Sequence, residues 1–278
     1  MLSKVMKYEW KATSKILLIL HGALAAYGIL CAVTLSSFVD IVSVNWSGLL
    51  FTLYVIFVLA AGLFTILVPA IRYYRSMYHE EGYLTHSVPV TSYTLVTGRL
   101  LNALIWYVID LAIISLTTFV ILVGVLHEPR FITEAFEWIG DGVVSFADSA
   151  GVPVEIFAVF LIILISASFI FSLFTVYLSI ALGSLVKEHR VAMSIAFYFG
   201  LHMAYNVFTT IYGILLSQIE GSLYNVSRRL SIFSSGTSGV FAKYFFHMLI
   251  GYSIFFIIGS VAYYFIIVRI DEKKLNLQ

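Results

Sequence analysis

Hydrophobic positions along this chain gather into six long runs separated by shorter polar stretches, at residues 16–35, 49–71, 100–126, 154–186, 191–216 and 244–268. Each run supplies the roughly 20 residues that a helix needs to cross a hydrocarbon layer of about 30 Å. Asp110 is an acid inside the third run; the other runs carry none away from their ends. Ten-residue segments of alternating polar and apolar positions, the mark of a membrane β-barrel, do not occur. A helix in lipid satisfies its own backbone donors and acceptors, so the pattern predicts an all-α polytopic membrane protein with six transmembrane helices.

Composition strengthens this reading. Hydrophobic residues form 61% of the 278-residue chain and charged residues 11%, with a mean hydropathy of +0.99. A soluble domain carries roughly 25% charged residues, and its surface grows too quickly with size for such a composition to be buried in one core. A net charge of +1 gives no reason to expect a nucleic-acid partner. The single cysteine, Cys31, lies in an apolar run and makes no intramolecular bridge. Without internal repeats or long linkers, residues 1–278 read as one membrane domain. The first run continues ten residues past an Ala23-Leu24-Ala25 triplet, so it reads as a retained anchor and not a cleaved signal.

Charge sets the orientation. One side holds Lys4, Lys7, Lys11, Lys15, Arg72, Arg75, Arg99, Lys187, Arg190, Arg269, Lys273 and Lys274; the other holds Arg130, Arg228, Arg229 and Lys243. Twelve against four places both termini in the cytoplasm. Residues 1–15 have Leu2, Val5, Met6 and Trp10 on one helical face and Lys4, Lys7, Lys11 and Lys15 on another, as expected of an interfacial helix on the anionic inner leaflet with its tryptophan at the headgroups.

Residues 72–99 form the longest cytoplasmic connection. A tyrosine-rich helix is expected to continue past Pro69 and Arg72, turn near Gly82 and break at Pro89, with Thr91 as N-cap of the next helix. On the outer side, residues 127–153 carry Phe131, Ile132, Ala135, Phe136 and Ile139 opposite Glu134, Glu137 and Asp141. This predicts a short surface helix ending at Gly140 and Gly142. Residues 217–243 form a second outer segment, with Ile219, Leu223, Val226 and Leu230 on one stripe.

The run Glu81-Gly82-Tyr83-Leu84-Thr85, with Pro89-Val90 four residues later, resembles the loop between the second and third spans of ABC-2-type transporter permeases, particularly those of Gram-positive bacteria. The pattern there is an acid, Gly-Tyr-Leu, a short apolar stretch, Pro-Val and a basic residue opening the third span, a place held here by Arg99. Lys7-Tyr8-Glu9-Trp10-Lys11-Ala12 and Gly183-Ser184-Leu185 with Lys187 are similar to the same group, whereas His86 and Ser87 stand where it has apolar residues. The resemblance implies a cytoplasmic coupling helix, with Glu80, Glu81, Gly82, Tyr83, Leu84 and Pro89 meeting a separate cytosolic ABC ATPase. It also implies a second permease copy or a related permease, residence in a bacterial plasma membrane, and export driven by ATP and Mg held by the partner, with no cofactor on this chain.

Ionisable groups inside spans are functional candidates. Asp110 lies ten residues into the third run and His202 eleven into the fifth, at matching depth, with Asn206 one turn beyond. They are expected to pair as a polar clasp or to face a pathway together, whereas His21 reads as an ordinary satisfied residue. No G-x-x-x-x-G-K-[ST] occurs, and the zinc-protease pattern begun by His79-Glu80 fails at Tyr83. The chain is therefore expected not to be an enzyme and to hold no metal. A permease subunit of an ABC exporter is the leading reading; an ATP-independent secondary transporter and a membrane sensor or immunity subunit are the alternatives.

Overall fold

The computed structural model describes residues 1–37, 44–79, 81–82, 89–126, 129–186, 188–229 and 237–275. Among them every element is helical: α1 (Leu2–Ser37), α2 (Val44–Tyr78), α3 (Ser92–Leu126), α4 (Pro129–Ala150), α5 (Val154–Gly183), α6 (Arg190–Arg229) and α7 (Thr237–Leu275). All but α4 contain a stretch long and apolar enough to cross a membrane. Apart from α5, the spanning helices overrun the hydrophobic runs that nucleate them. At 36 residues, α1 extends about 54 Å, well beyond a hydrocarbon core of about 30 Å.

By their contacts the residues fall into two units, Met1–Phe136 with Lys274–Gln278, and Glu137–Lys273. In the first, α1 and α3 pack most extensively. Their contacts keep a nearly constant sequence offset, 90 for Glu9 with Arg99, 89 for Thr13 with Asn102 and 89 for His21 with Asp110. A constant offset means that the two helices run parallel. The buried positions of α1, namely Glu9, Thr13, Leu17, His21 and Leu24, recur at three- and four-residue intervals, which is the spacing of one helical face. Glycine lets the far end close up: a Cβ on Gly28 would lie 2.8 Å from Thr117 Cβ, and one on Gly124 would lie 2.7 Å from the Ala32 carbonyl oxygen.

Helix α2 packs antiparallel on this pair. Tyr27 stacks on Phe57 at 4.9 Å, and the Tyr54 hydroxyl lies 2.8 Å from those of both Thr117 and Thr118. A core of Leu24, Cys31, Leu35, Tyr54 and Ile121 fills the centre. Pro69 does not end α2, which runs on to Tyr78.

Residues 1–15 are helical from Leu2 and run without a break into the first span. They are the opening turns of α1, seated on α3, and a Cβ on Gly98 would touch the Val5 side chain at 2.7 Å. Lys4, Lys7, Lys11 and Lys15 are exposed, but Trp10 stacks on the fully buried Trp106 at 4.6 Å. Trp10 itself stays 37% exposed, so one face of its indole is packed and the other open.

In the second unit, α5, α6 and α7 meet through aromatic side chains. Phe171 of α5 lies 5.3 Å from Phe255, Phe256 and Tyr263 of α7, and Phe208 of α6 stacks on Phe255 at 4.4 Å. Helix α5 ends at Gly183, three residues before its hydrophobic run does, because Gly183 packs directly on Ser194 of α6 and the chain turns there through His189 at φ 54°. Residues 217–229 continue α6 instead of forming a loop. Of the expected outer stripe, Leu230 lies outside the described residues.

Helix α4 also exceeds expectation. It runs through Gly140 and Gly142 to Ala150. Two internal glycines cost about 1 kcal/mol each in helix propensity, and burial of Ala147 with packing of Phe146 on Phe157 and Phe245 overrides that. Gly151, at φ 74°, stops the helix. Its N–H bonds the Asp148 carbonyl at 3.0 Å while the Val152 N–H reaches back to Ala147 at 3.0 Å, a Schellman closure.

Candidate functional site

The opening turns of α1, the last turns of α2 and the first turns of α3 meet at one end of the first unit. Glu9 is 6% exposed and Arg99 3%. Arg99 Nε donates to Glu9 Oε1 at 3.2 Å, and Arg72 Nε stands 3.5 Å from the other carboxylate oxygen. Arg72 then donates through Nη1 to Glu81. The four charges sum to zero, which makes this burial tolerable where a lone charge would not be. The Arg99 guanidinium also lies 5.7 Å from the centroid of the Tyr73 ring, a cation–π contact. The Tyr73 hydroxyl in turn meets that of Tyr78 at 3.0 Å. One chain of contacts thus joins Glu81 to all three helices.

Local sequence builds the turn that carries Glu81. The Gly82 N–H donates to the His79 carbonyl at 2.8 Å, and a Cβ on Gly82 would sit 2.8 Å from the Met77 carbonyl oxygen. The close approach that this glycine permits is therefore to its own chain. Thr91 caps α3 as expected, accepting from the Thr94 N–H at 3.4 Å. Pro89 is exposed. Glu80, Tyr83 and Leu84, with His86 and Ser87, lie outside the described residues.

Two further polar rungs continue along the α1–α3 seam. The Thr13 hydroxyl accepts from Asn102 Nδ2 at 3.2 Å and from Trp106 Nε1 at 3.0 Å, while donating to the Glu9 carbonyl. Next comes Asp110. Its expected partner was His202; its partner in the structure is His21, whose Nε2 lies 2.9 Å from Asp110 Oδ1, with both residues buried. His21 Nδ1 is 2.7 Å from the Leu17 carbonyl, which can only accept, so that nitrogen carries a hydrogen. The remaining contact is then imidazolium to carboxylate, or neutral imidazole to carboxylic acid. Either way the pair is neutral as a whole and holds one proton between its two heavy atoms.

His202 and Asn206 belong to α6 in the second unit and are exposed. His202 stacks on Tyr198 of its own helix at 5.7 Å. Sequence reasoning missed Glu9, Arg72 and His21 as parts of these networks. A signal existed: Glu9 and Thr13 continue the stripe begun by Leu2 and Met6, and a carboxylate on an apolar stripe calls for a buried cation.

No protein-family model matches this sequence, and no curated protein or solved structure matches it.

Proposed function

We propose that this chain is the permease subunit of an ATP-binding cassette exporter, gripped at the Glu81 turn by a separate cytosolic ATPase. The observation that carries the reading is the contact chain from Glu81 through Arg72 to Glu9 and Arg99. A force applied at that turn is passed to α1, α2 and α3 together, as conversion of a partner's closure into helix movement requires. The sequence pattern around Glu81, similar to that of ABC-2-type permeases, supports it. So does the concentration of lysine and arginine on the same end, the charge pattern of a cytosolic face. The membrane is that of a bacterial cell, and ATP and Mg belong to the partner.

A second permease copy, or a related permease, completes the assembly. Helix α6 buries the smallest share of its apolar stretch, 6%, within the chain. Its exposed face carries His202, Asn206 and Thr210 at four-residue spacing. Imidazole and amide groups turned towards lipid are costly, so this face fits a neighbouring subunit or a wet pathway between two subunits.

The test separates coupling from folding. Arg72 and Glu81 have side chains 27% and 46% exposed, so breaking this pair is expected to cost only about 1 kcal/mol or less. Isolated from its native membranes, the wild-type chain should carry a P-loop ATPase in stoichiometric amount. The Glu81→Arg chain should insert normally and lose that partner. A wild-type chain that purifies alone, or a variant that keeps the ATPase undiminished, would refute the reading.

A further inference from the structure

An apolar cavity of about 590 Å³ opens between α4, α5 and α7. That size falls in the usual range for small-molecule sites. Its floor is hydrophobic, from Phe146, Phe157, Leu161, Phe245 and Leu249, and its rim holds Trp138, Asp141 and Ser145. The floor is built of rings already packed on one another: Phe146 lies 5.3 Å from Phe157 and 5.8 Å from Phe245. The Schellman closure at Gly151 and the following Pro153 fix the corner between α4 and α5, so the cavity is preformed.

The rim is what selects the occupant. Asp141 is exposed and forms no ion pair among the described residues. Glu134, Glu137 and Asp148 share its helical face, and Arg130, the basic residue of that helix, is engaged by Glu134 at 2.8 Å. Lys243, two residues before Phe245, already has a partner. Trp138 is 78% exposed. A free carboxylate beside an open indole face attracts a cation, by charge and by the ring quadrupole together. A plain acyl chain would use the floor and waste the rim; an anion would be repelled.

We infer that this cavity binds a lipophilic cation, its apolar body on the phenylalanine floor and its charge between Asp141 and Trp138. Gly142 lines the cavity, and a Cβ there meets nothing within 4 Å. A larger residue at this position therefore fills the cavity without displacing the fold. The site does not depend on the ATPase reading, and its test needs no nucleotide.

The full chain in phosphatidylcholine nanodiscs is titrated with radiolabelled tetraphenylphosphonium, with tetraphenylborate as a competitor of the same shape and opposite charge. The expected result is saturable binding that tetraphenylborate does not displace. Asp141→Asn should weaken it about tenfold or more, equivalent to about 1.4 kcal/mol, and Gly142→Leu should abolish it. Glu134→Gln, outside the lining, should leave it within about twofold. Absence of saturable binding, equal competition by the anion, or binding indifferent to both Asp141→Asn and Gly142→Leu would overturn the inference. Normal unfolding temperatures in the two variants exclude misfolding as the cause of any loss.

Discussion

Arg99→Ala should be among the most damaging single substitutions in this protein, lowering its stability by about 3–5 kcal/mol. The figure is that for removing one partner of a buried ion pair and leaving the other charge behind. Arg99 is 3% exposed and bonds Glu9 at 3.2 Å, so its loss strands a carboxylate whose other cation, Arg72, stands 3.5 Å away and is shared with Glu81. The Tyr73 ring also loses its cation. Arg99→Lys should recover part of the loss, because an ammonium restores the charge but not the planar fork. The double variant Glu9→Met/Arg99→Met should be more stable than Arg99→Ala, since no orphan charge remains. Thermal unfolding of the four proteins in one detergent checks this. Equal stability of Arg99→Ala and wild type would mean that the three helix ends are not held by this pair.

His21→Leu should cost about 3 kcal/mol for a related reason. It leaves Asp110, 5% exposed, without its partner inside a span, where translocon scales put an aspartate at roughly 2.5–3.5 kcal/mol. Asp110→Asn should cost less than about 1 kcal/mol. With Nδ1–H held by the Leu17 carbonyl, His21 Nε2 can accept from an asparagine amide, so both groups stay satisfied. This contrast distinguishes a clasp from a charge used in transport. A clasp predicts destabilisation by His21→Leu with near-normal behaviour of Asp110→Asn. If Asp110→Asn abolished activity at full stability, the charge itself would be in use. His21→Leu/Asp110→Leu should regain most of the lost stability.

The six spans were legible because an uninterrupted apolar run of about 20 residues matches the thickness of a bilayer core and exceeds what a soluble helix buries. Helix ends were not, because hydropathy reports where lipid lies and not where the backbone stops being helical. That one error propagated into the site. Counted from the hydrophobic runs, Asp110 and His202 matched in depth. Counted from the helix starts, His21 lies 19 residues into α1, from Leu2, and Asp110 lies 18 into α3, from Ser92. In two parallel helices those positions face each other. At residues 1–15 the packing on α3 was not legible, because a lysine stripe beside an apolar stripe is common to a surface helix and to a helix packed on a neighbour. What separates them is Glu9 on the apolar stripe. The length of α4 turned on φ at Gly151, which hydropathy does not report, whereas Gly140 and Gly142 were overridden by tertiary packing.

The claim on which the functional reading depends is that the segment beginning at Glu81 is held from the cytosol by a separate motor. Pro89 is exposed and stands just ahead of the Thr91 cap, so a photo-crosslinking residue placed there samples whatever covers that segment while leaving the ion-pair cluster intact. On irradiation of native membranes, the account predicts one dominant adduct with a P-loop ATPase, formed on the cytosolic side and changing in yield when ATP is added. Adducts confined to lipid, or reaction with probes supplied only from outside the cell, would contradict it.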